Sequence, residues 1–318
     1  MTETPVFLAQ KPIARCSKLL YNDREQQLNT PLTCLGGNDM REISVKNVTE
    51  VVKKLCISAN CHLPKDIKKC IETGRARETW PQAQEILDRI IENYKIADEA
   101  CRPICQDTGM ACVFVSVGQE VHFDGDLTEA IHEGVRQGYA EGYLRKSVVK
   151  DPLDRVNTGD NTPAMIYYDL VPGDKVEITV APKGFGSENM SQIKMLKPSD
   201  GVEGVKKFIL KVVEEAGPNP CPPIVVGVGI GGTFDKAAYM AKKALLRPAN
   251  VRHEEPFYAA LEAEMLEKIN ALGVGPQGFG GRTTALAVNI EKCPTHIAGL
   301  PVAVNINCHV TRHEKEVL

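Results

Sequence analysis

The chain has 318 residues, 43% of them apolar and 25% charged, with a formal net charge of −3. That length supports a sizeable core in one or two domains, and the near-neutral charge gives nucleic acid or an anionic membrane no reason to bind. No apolar run approaches the ~20 residues of a bilayer-spanning helix, and Val6-Phe7-Leu8 is too short for a secretory signal, so a cytoplasmic protein is expected. The 11 cysteines are an odd number without a secretory pattern, which argues against a disulfide framework.

Residues 1–39 show little periodicity and end in Gly36-Gly37-Asn38-Asp39. Met40 opens a well-patterned segment. The expectation is therefore an upstream extension or disordered tail over 1–39, Met40 as the biological start, and one domain over 40–318. Apolar residues at helical spacing (Val45, Val48, Val51, Val52, Leu55) predict a helix from Val45 to Cys56. A second helix follows Pro64 and a third runs from Pro81 to Tyr94. Residues 111–117 read as a strand and Leu127 to Tyr143 as a helix. Ala164 to Leu170 and Lys175 to Ala181 read as strands joined by a turn at Pro172-Gly173-Asp174. Helices are expected over Asp200–Ala216, Thr233–Leu246 and His253–Leu272. Strands are expected over Ile224–Val228, Thr284–Ile290 and Val302–Asn307. The class is α/β (mixed α+β), a helical N-terminal layer followed by interleaved strands and helices.

Gly227-Val228-Gly229-Ile230-Gly231-Gly232 carries the spacing G-x-G-x-x-G between a strand and a helix. The acids about 20 residues on, Glu254 and Glu255, sit at a helix entrance and not at the end of a second apolar strand, so a dinucleotide unit is not completed. The glycines are better read as a tight turn with close packing, or as amides facing an anion. Lys183-Gly184-Phe185-Gly186 and Gly275-Pro276-Gln277-Gly278 are further glycine loops, and neither is a P-loop.

Three cysteines have distinctive surroundings. Cys105 lies in Pro103-Ile104-Cys105-Gln106-Asp107-Thr108-Gly109, Cys221 in Asn219-Pro220-Cys221-Pro222-Pro223, and Cys308 in Asn305-Ile306-Asn307-Cys308-His309. Turn-rich segments beside strands suit a fixed metal ligand. None of the three forms a C-x-x-C pair, so a zinc ribbon is unsupported, and a structural thiol remains the ordinary reading of each. His309 and His313 share an i, i+4 spacing, but the residues before them are strand-like and no H-E-x-x-H is present.

These three segments, together with Gly142-Tyr143-Leu144-Arg145-Lys146-Ser147, Asn157-Thr158-Gly159-Asp160-Asn161-Thr162-Pro163, Ala181-Pro182-Lys183-Gly184 through Asn189, and Gly275-Pro276-Gln277-Gly278, closely resemble the alpha subunit, or N-terminal domain, of class I fumarate hydratases. The match runs from about Met40 to the C-terminus. The resemblance implies a [4Fe–4S] cluster on Cys105, Cys221 and Cys308, with the other cysteines structural. It implies that Gln106 and Asp107 face substrate, that Arg145 pairs with a substrate carboxylate, that Gly186 offers a backbone contact, and that His296 hydrogen-bonds a carboxylate. The non-functional readings are a turn cap for Asp107, a surface ion pair for Arg145 and a loop histidine for His296. The implied reaction is reversible hydration of fumarate to (S)-malate. A second domain present in single-chain members is missing here, so a separate beta subunit and a hetero-oligomer are expected, with a small dicarboxylate as substrate.

The related L-tartrate dehydratase shares the cysteine plan, and the sequence leaves mesaconate or another 2-hydroxy diacid open. The Gly231–Lys236 and Asn307–His309 segments look more like the fumarate enzymes. A non-catalytic iron–sulfur or redox-sensing protein is a rival of another class; the joint presence of Gln106, Asp107, Arg145 and His296 argues against it.

Overall fold

A computed structural model describes residues 40–318, and the expectation for 1–39 lies outside them. Helices and strands interleave as the α/β reading requires. The helical layer opens with α1 (Val45–Cys61), whose Val48, Val51, Val52 and Leu55 are buried as their spacing demands. It runs five residues beyond the expected end, because Cys56, Ala59 and Cys61 continue the apolar stripe. Next come α2 (Lys65–Arg77) and α3 (Pro81–Ala100). Pro81 occupies the first turn of α3, where its missing N–H leaves no helical bond unmade.

One four-stranded sheet has the order β10 (Glu314–Val317), β5 (Val176–Lys183), β2 (Met110–Gly118), β4 (Met165–Val171). The turn after β4 does lead into β5, yet the two strands do not pair. β2 lies between them, parallel to β4 and antiparallel to β5. The connection crosses the end of β2, where the Gly118 and Glu120 amides donate to the Lys175 and Gly173 carbonyls. A Cβ on Gly118 would stand 2.3 Å from the Gly173 oxygen, so only glycine permits the crossing. α1 and α4 (Leu127–Glu141) cover this sheet, and α4 is capped by Asp126, whose side chain accepts the Glu129 amide at 3.0 Å. A small parallel pair, β1 (Arg41–Ile43) with β3 (Val121–Phe123), lies at its margin.

The second four-stranded sheet has the order β6 (Gln192–Leu196), β9 (Leu300–Asn307), β7 (Ile224–Gly232), β8 (Ala285–Thr295). Parallel β7 and β8 are joined through α7 (Phe234–Ala244) and α8 (Pro256–Ala271). Alternation in β7 divides its faces. Ile224, Val226, Val228 and Ile230 join α8 and α6 (Gly201–Ala216) in the largest core. Gly227 and Gly229 face α7, and a Cβ on either would meet a helix carbonyl oxygen, of Ala241 or Ala237, at 2.1 Å. The glycine-rich run is thus a packing device for α7. α8 starts at Pro256 and not at His253, since a residue before proline is disfavoured in helical geometry. The short strands β1, β3, β6 and β10 were not anticipated; β10 reads Glu-Lys-Glu-Val, an edge strand without apolar alternation.

A third core lies under α2 and α3, and Ile104 and Val310 belong to it. Cys105 and Cys308 pack against its margin. Among the described residues no helix is long and apolar enough to cross a membrane.

Candidate active site

The Cys105 turn lies between α3 and β2 and is pinned on several sides. The Ile104 amide donates to Asn60 O at 3.0 Å, and Asn93 Nδ2 donates to Ile104 O at 2.9 Å. The Asp107 amide approaches Cys105 Sγ at 3.4 Å. One Asp107 carboxylate oxygen accepts the Gly109 amide at 3.0 Å and the other the Phe185 amide at 2.9 Å. Asp107 therefore clasps its own turn to the glycine loop after β5. The buried Tyr139 hydroxyl donates to Thr108 O at 2.8 Å, and Asn161 Nδ2 donates to Gly109 O at 3.2 Å. Thr108 Oγ1 donates to Arg145 O at 3.1 Å, which holds the Arg145 backbone beside the turn while its side chain stays exposed. Gln106 is exposed on the same turn.

The glycine loop forms α5 (Phe185–Glu188), a single helical turn. Lys183, only 5% exposed, anchors it: Nζ pairs with Glu188 at 3.1 Å and donates to Ser187 Oγ at 3.0 Å and Ile306 O at 2.9 Å. Gly186 faces the Asn219 carbonyl, 3.9 Å from where its Cβ would stand. That carbonyl opens the Pro220–Pro223 loop, in which Cys221 has a left-handed backbone (φ 53°). His309, just past Cys308, donates from Nδ1 to Cys221 O at 3.0 Å, and Gln277 donates to Pro222 O from both its backbone amide and Nε2, each at 2.8 Å. The loops bearing Cys221 and Cys308 are thus stitched directly together.

Electrostatics place the three thiols in one neighbourhood. Burial pushes the Cys221 thiol up, and the Cys105 charge adds to it. Burial also raises Cys308, opposed by the Arg312 and Lys183 cations and reinforced by Cys105. Cys56 and Cys61 are different: both are buried, and burial pushes each up to about 12, as befits structural thiols.

The structure thus brings Cys105, Gln106, Asp107, Arg145, Gly186, Cys221 and Cys308 to one side. His296 stands apart. It occupies the turn between β8 and β9, exposed beside Ile297, and its Nδ1 accepts the Ala298 amide at 3.2 Å. Cys308 follows the last residue of β9, whereas His296 precedes its first. At about 3.4 Å per residue the eight-residue strand puts roughly 25 Å between them. Sequence reasoning missed Lys183, His309 and Arg312, all of which tie the site's segments to one another. The dense polar run Asn305 to His313 was the available signal.

Residues 49–317 match the family described as Fumarate hydratase (Fumerase). The chain belongs to the fumarate hydratase family. It is 46% identical over 272 residues to a protein of Methanocaldococcus jannaschii provisionally named L(+)-tartrate dehydratase subunit alpha, covering 83% of this chain and 95% of that one. It is 34% identical over 276 residues to the L(+)-tartrate dehydratase subunit alpha of Escherichia coli K12, covering 86% and 91%. In this fumarate hydratase family chain the motifs that carried the resemblance are the segments now seen converging around Cys105.

Proposed function

We propose that this chain is the alpha subunit of an iron–sulfur hydro-lyase that interconverts fumarate and (S)-malate together with a beta subunit. The observation that carries the reading is the convergence of three cysteine loops with the Gln106–Asp107 turn, Arg145 and the Gly184–Gly186 loop on one face. The donor set fits a multi-iron cluster. Cys105, Cys221 and Cys308 come from three separate loops, with Cys221 and Cys308 each within Coulomb range of Cys105, and a cluster takes each thiolate on a different iron.

When bound, a [4Fe–4S] cluster on three thiolates supplies an iron without a protein ligand, a Lewis acid for the substrate hydroxyl. The chain's own residues bind and orient. The exposed Arg145 guanidinium suits a two-point contact with a substrate carboxylate. Gln106 offers an amide toward the hydroxyl. Asp107 has spent one lone pair of each oxygen on a backbone amide, so it holds the turn and the Phe185–Gly186 amides in line while its remaining lone pairs face the substrate. The Gly186 amide is the backbone contact. His296, at the far end of β9, can reach a substrate carboxylate only in the site of another copy of the chain. Removal of the C–H proton is assigned to the beta subunit.

A second reading, dehydration of L(+)-tartrate, is favoured by the names of the relatives. The test is anaerobic co-purification with the beta subunit, iron and sulfide analysis, and parallel assays of fumarate, L(+)-tartrate and mesaconate. Fumarate hydration by an iron-loaded complex supports the first reading. Turnover of tartrate alone replaces it with the second. Iron-free protein turning over neither removes both.

A further inference from the structure

Arg312 is 4% exposed, and its Nη2 donates to the Asp107 carbonyl. Its Nε and Nη1 are buried with no hydrogen-bond partner among the described residues. No carboxylate there pairs with it either. The neighbouring buried cation, Lys183, shows the usual solution, since Glu188 stands 3.1 Å away. An uncompensated buried guanidinium is among the least favourable arrangements in a protein interior. It calls for an anion, and Cys308, a thiolate once it holds a cluster, lies within Coulomb range of Arg312, as do the structural Cys61 and Tyr139. Cys308 lies four residues back along the chain, and the Cys105 turn is attached to Arg312 through Asp107 O.

We propose that Arg312 is the buried counter-cation of the three-cysteine site, balancing its thiolate charge while its Nη2 holds the Cys105–Asp107 turn. The inference rests on the iron–sulfur reading above and adds a positioning residue to it. Three thiolates on a cluster leave a net negative charge in a partly enclosed place, and a fixed cation there favours the reduced, more negative form. Among the described residues, Lys183 is matched by Glu188, whereas Arg312 has no carboxylate partner. The Arg312 side chain also hydrogen-bonds the Cys105 turn, which Lys183 meets only through its backbone beside Gly109.

The test compares Arg312→Gln, which removes the charge and keeps a donor for Asp107 O, with Arg312→Lys, which keeps the charge and loses the fork. The full chain is loaded anaerobically with iron and sulfide, and the midpoint potential is read in a one-electron dithionite titration. The same chain without metal is treated with iodoacetamide at fixed pH, and Cys308 modification is followed by mass spectrometry. R312Q should shift the potential downward and slow Cys308 modification several-fold, because the thiolate loses its neighbouring cation. R312K should stay near the parent in both. A loaded R312Q with unchanged potential and unchanged Cys308 reactivity overturns the proposal. Should R312Q fail to fold, as judged by circular dichroism, R312K decides: loss of its potential or of Cys308 reactivity shows that the cation is not what matters. Should the parent chain take up no iron or sulfide, the iron–sulfur reading fails, and the Cys308 modification rates still decide whether Arg312 serves the thiols.

Discussion

The second sheet has two ends that differ in kind. At the end where β7 begins and β9 finishes, four segments distant in sequence meet, and buried or half-buried side chains (Asp107, Lys183, His309, Arg312) hydrogen-bond across them. At the opposite end the β8–β9 turn is held almost entirely by itself. Gly299 N donates to His296 O at 2.9 Å, Thr295 Oγ1 reaches Gly232 O at 2.8 Å, and Ile297 is 92% exposed. One end is preorganised by long-range contacts, and the other is a local turn open to whatever docks there. Geometry held to a fraction of an ångström requires the first arrangement.

The contrast breaks most visibly if any site cysteine is dispensable. Cys105→Ala, Cys221→Ala and Cys308→Ala should each lose cluster iron, measured against Cys56→Ala, which should retain it. Lys183→Met comes next. It strands Glu188, leaving Lys242 as its remaining cation, and should lower stability by about 3 kcal/mol in urea unfolding. Asp107→Asn replaces one acceptor with a donor facing a backbone amide and should lose roughly 1–2 kcal/mol, with the Phe185 amide exchanging faster with solvent.

Acid should act selectively on the same end. Burial pushes the Glu188 carboxyl up, but the Lys183 and Lys242 cations and its hydrogen bonds outweigh this and hold it down at about 2. A depressed carboxyl stabilises the fold above its unfolded value of 4.5, and that contribution disappears as pH falls from there toward about 2. Replacing Glu188 by Gln should flatten the unfolding free energy over that window; an unaltered pH profile would remove Glu188 from the clasp. At the other end, His296→Ala should change stability by no more than about 0.5 kcal/mol. If activity of the assembled enzyme nevertheless falls, His296 acts on a neighbouring copy's site; unchanged activity assigns it to the turn alone.

The sequence carried the periodic elements well because burial dictates them. Val48, Val51, Val52 and Leu55 had to lie on one helix face, and the alternating Ile224, Val226 and Val228 had to lie on one side of a strand. It carried the three site cysteines only through resemblance, since their convergence depends on contacts across the whole fold. Lys183 and Arg312 were invisible because a lysine and an arginine near strand ends ordinarily reach solvent, and nothing local marks them as buried. The distance between His296 and Cys308 was hidden for the same reason. Twelve residues look close along a chain, but here they span one full strand.

The placement of β2 between β4 and β5 bears on how the molecule assembles. Strands separated by so short a connection usually zip into a local hairpin within microseconds. Here each must find β2 instead, and the nearest of those partners, Cys112 with Met165, are more than fifty residues apart in sequence. The sheet therefore lacks a fast local nucleus, and its formation belongs to the slow, high-contact-order part of folding. The Cys105 turn runs directly into β2. Maturation of the site should accordingly lag behind formation of the helical layer, giving a helix-rich early phase in stopped-flow circular dichroism before the cysteine face is complete.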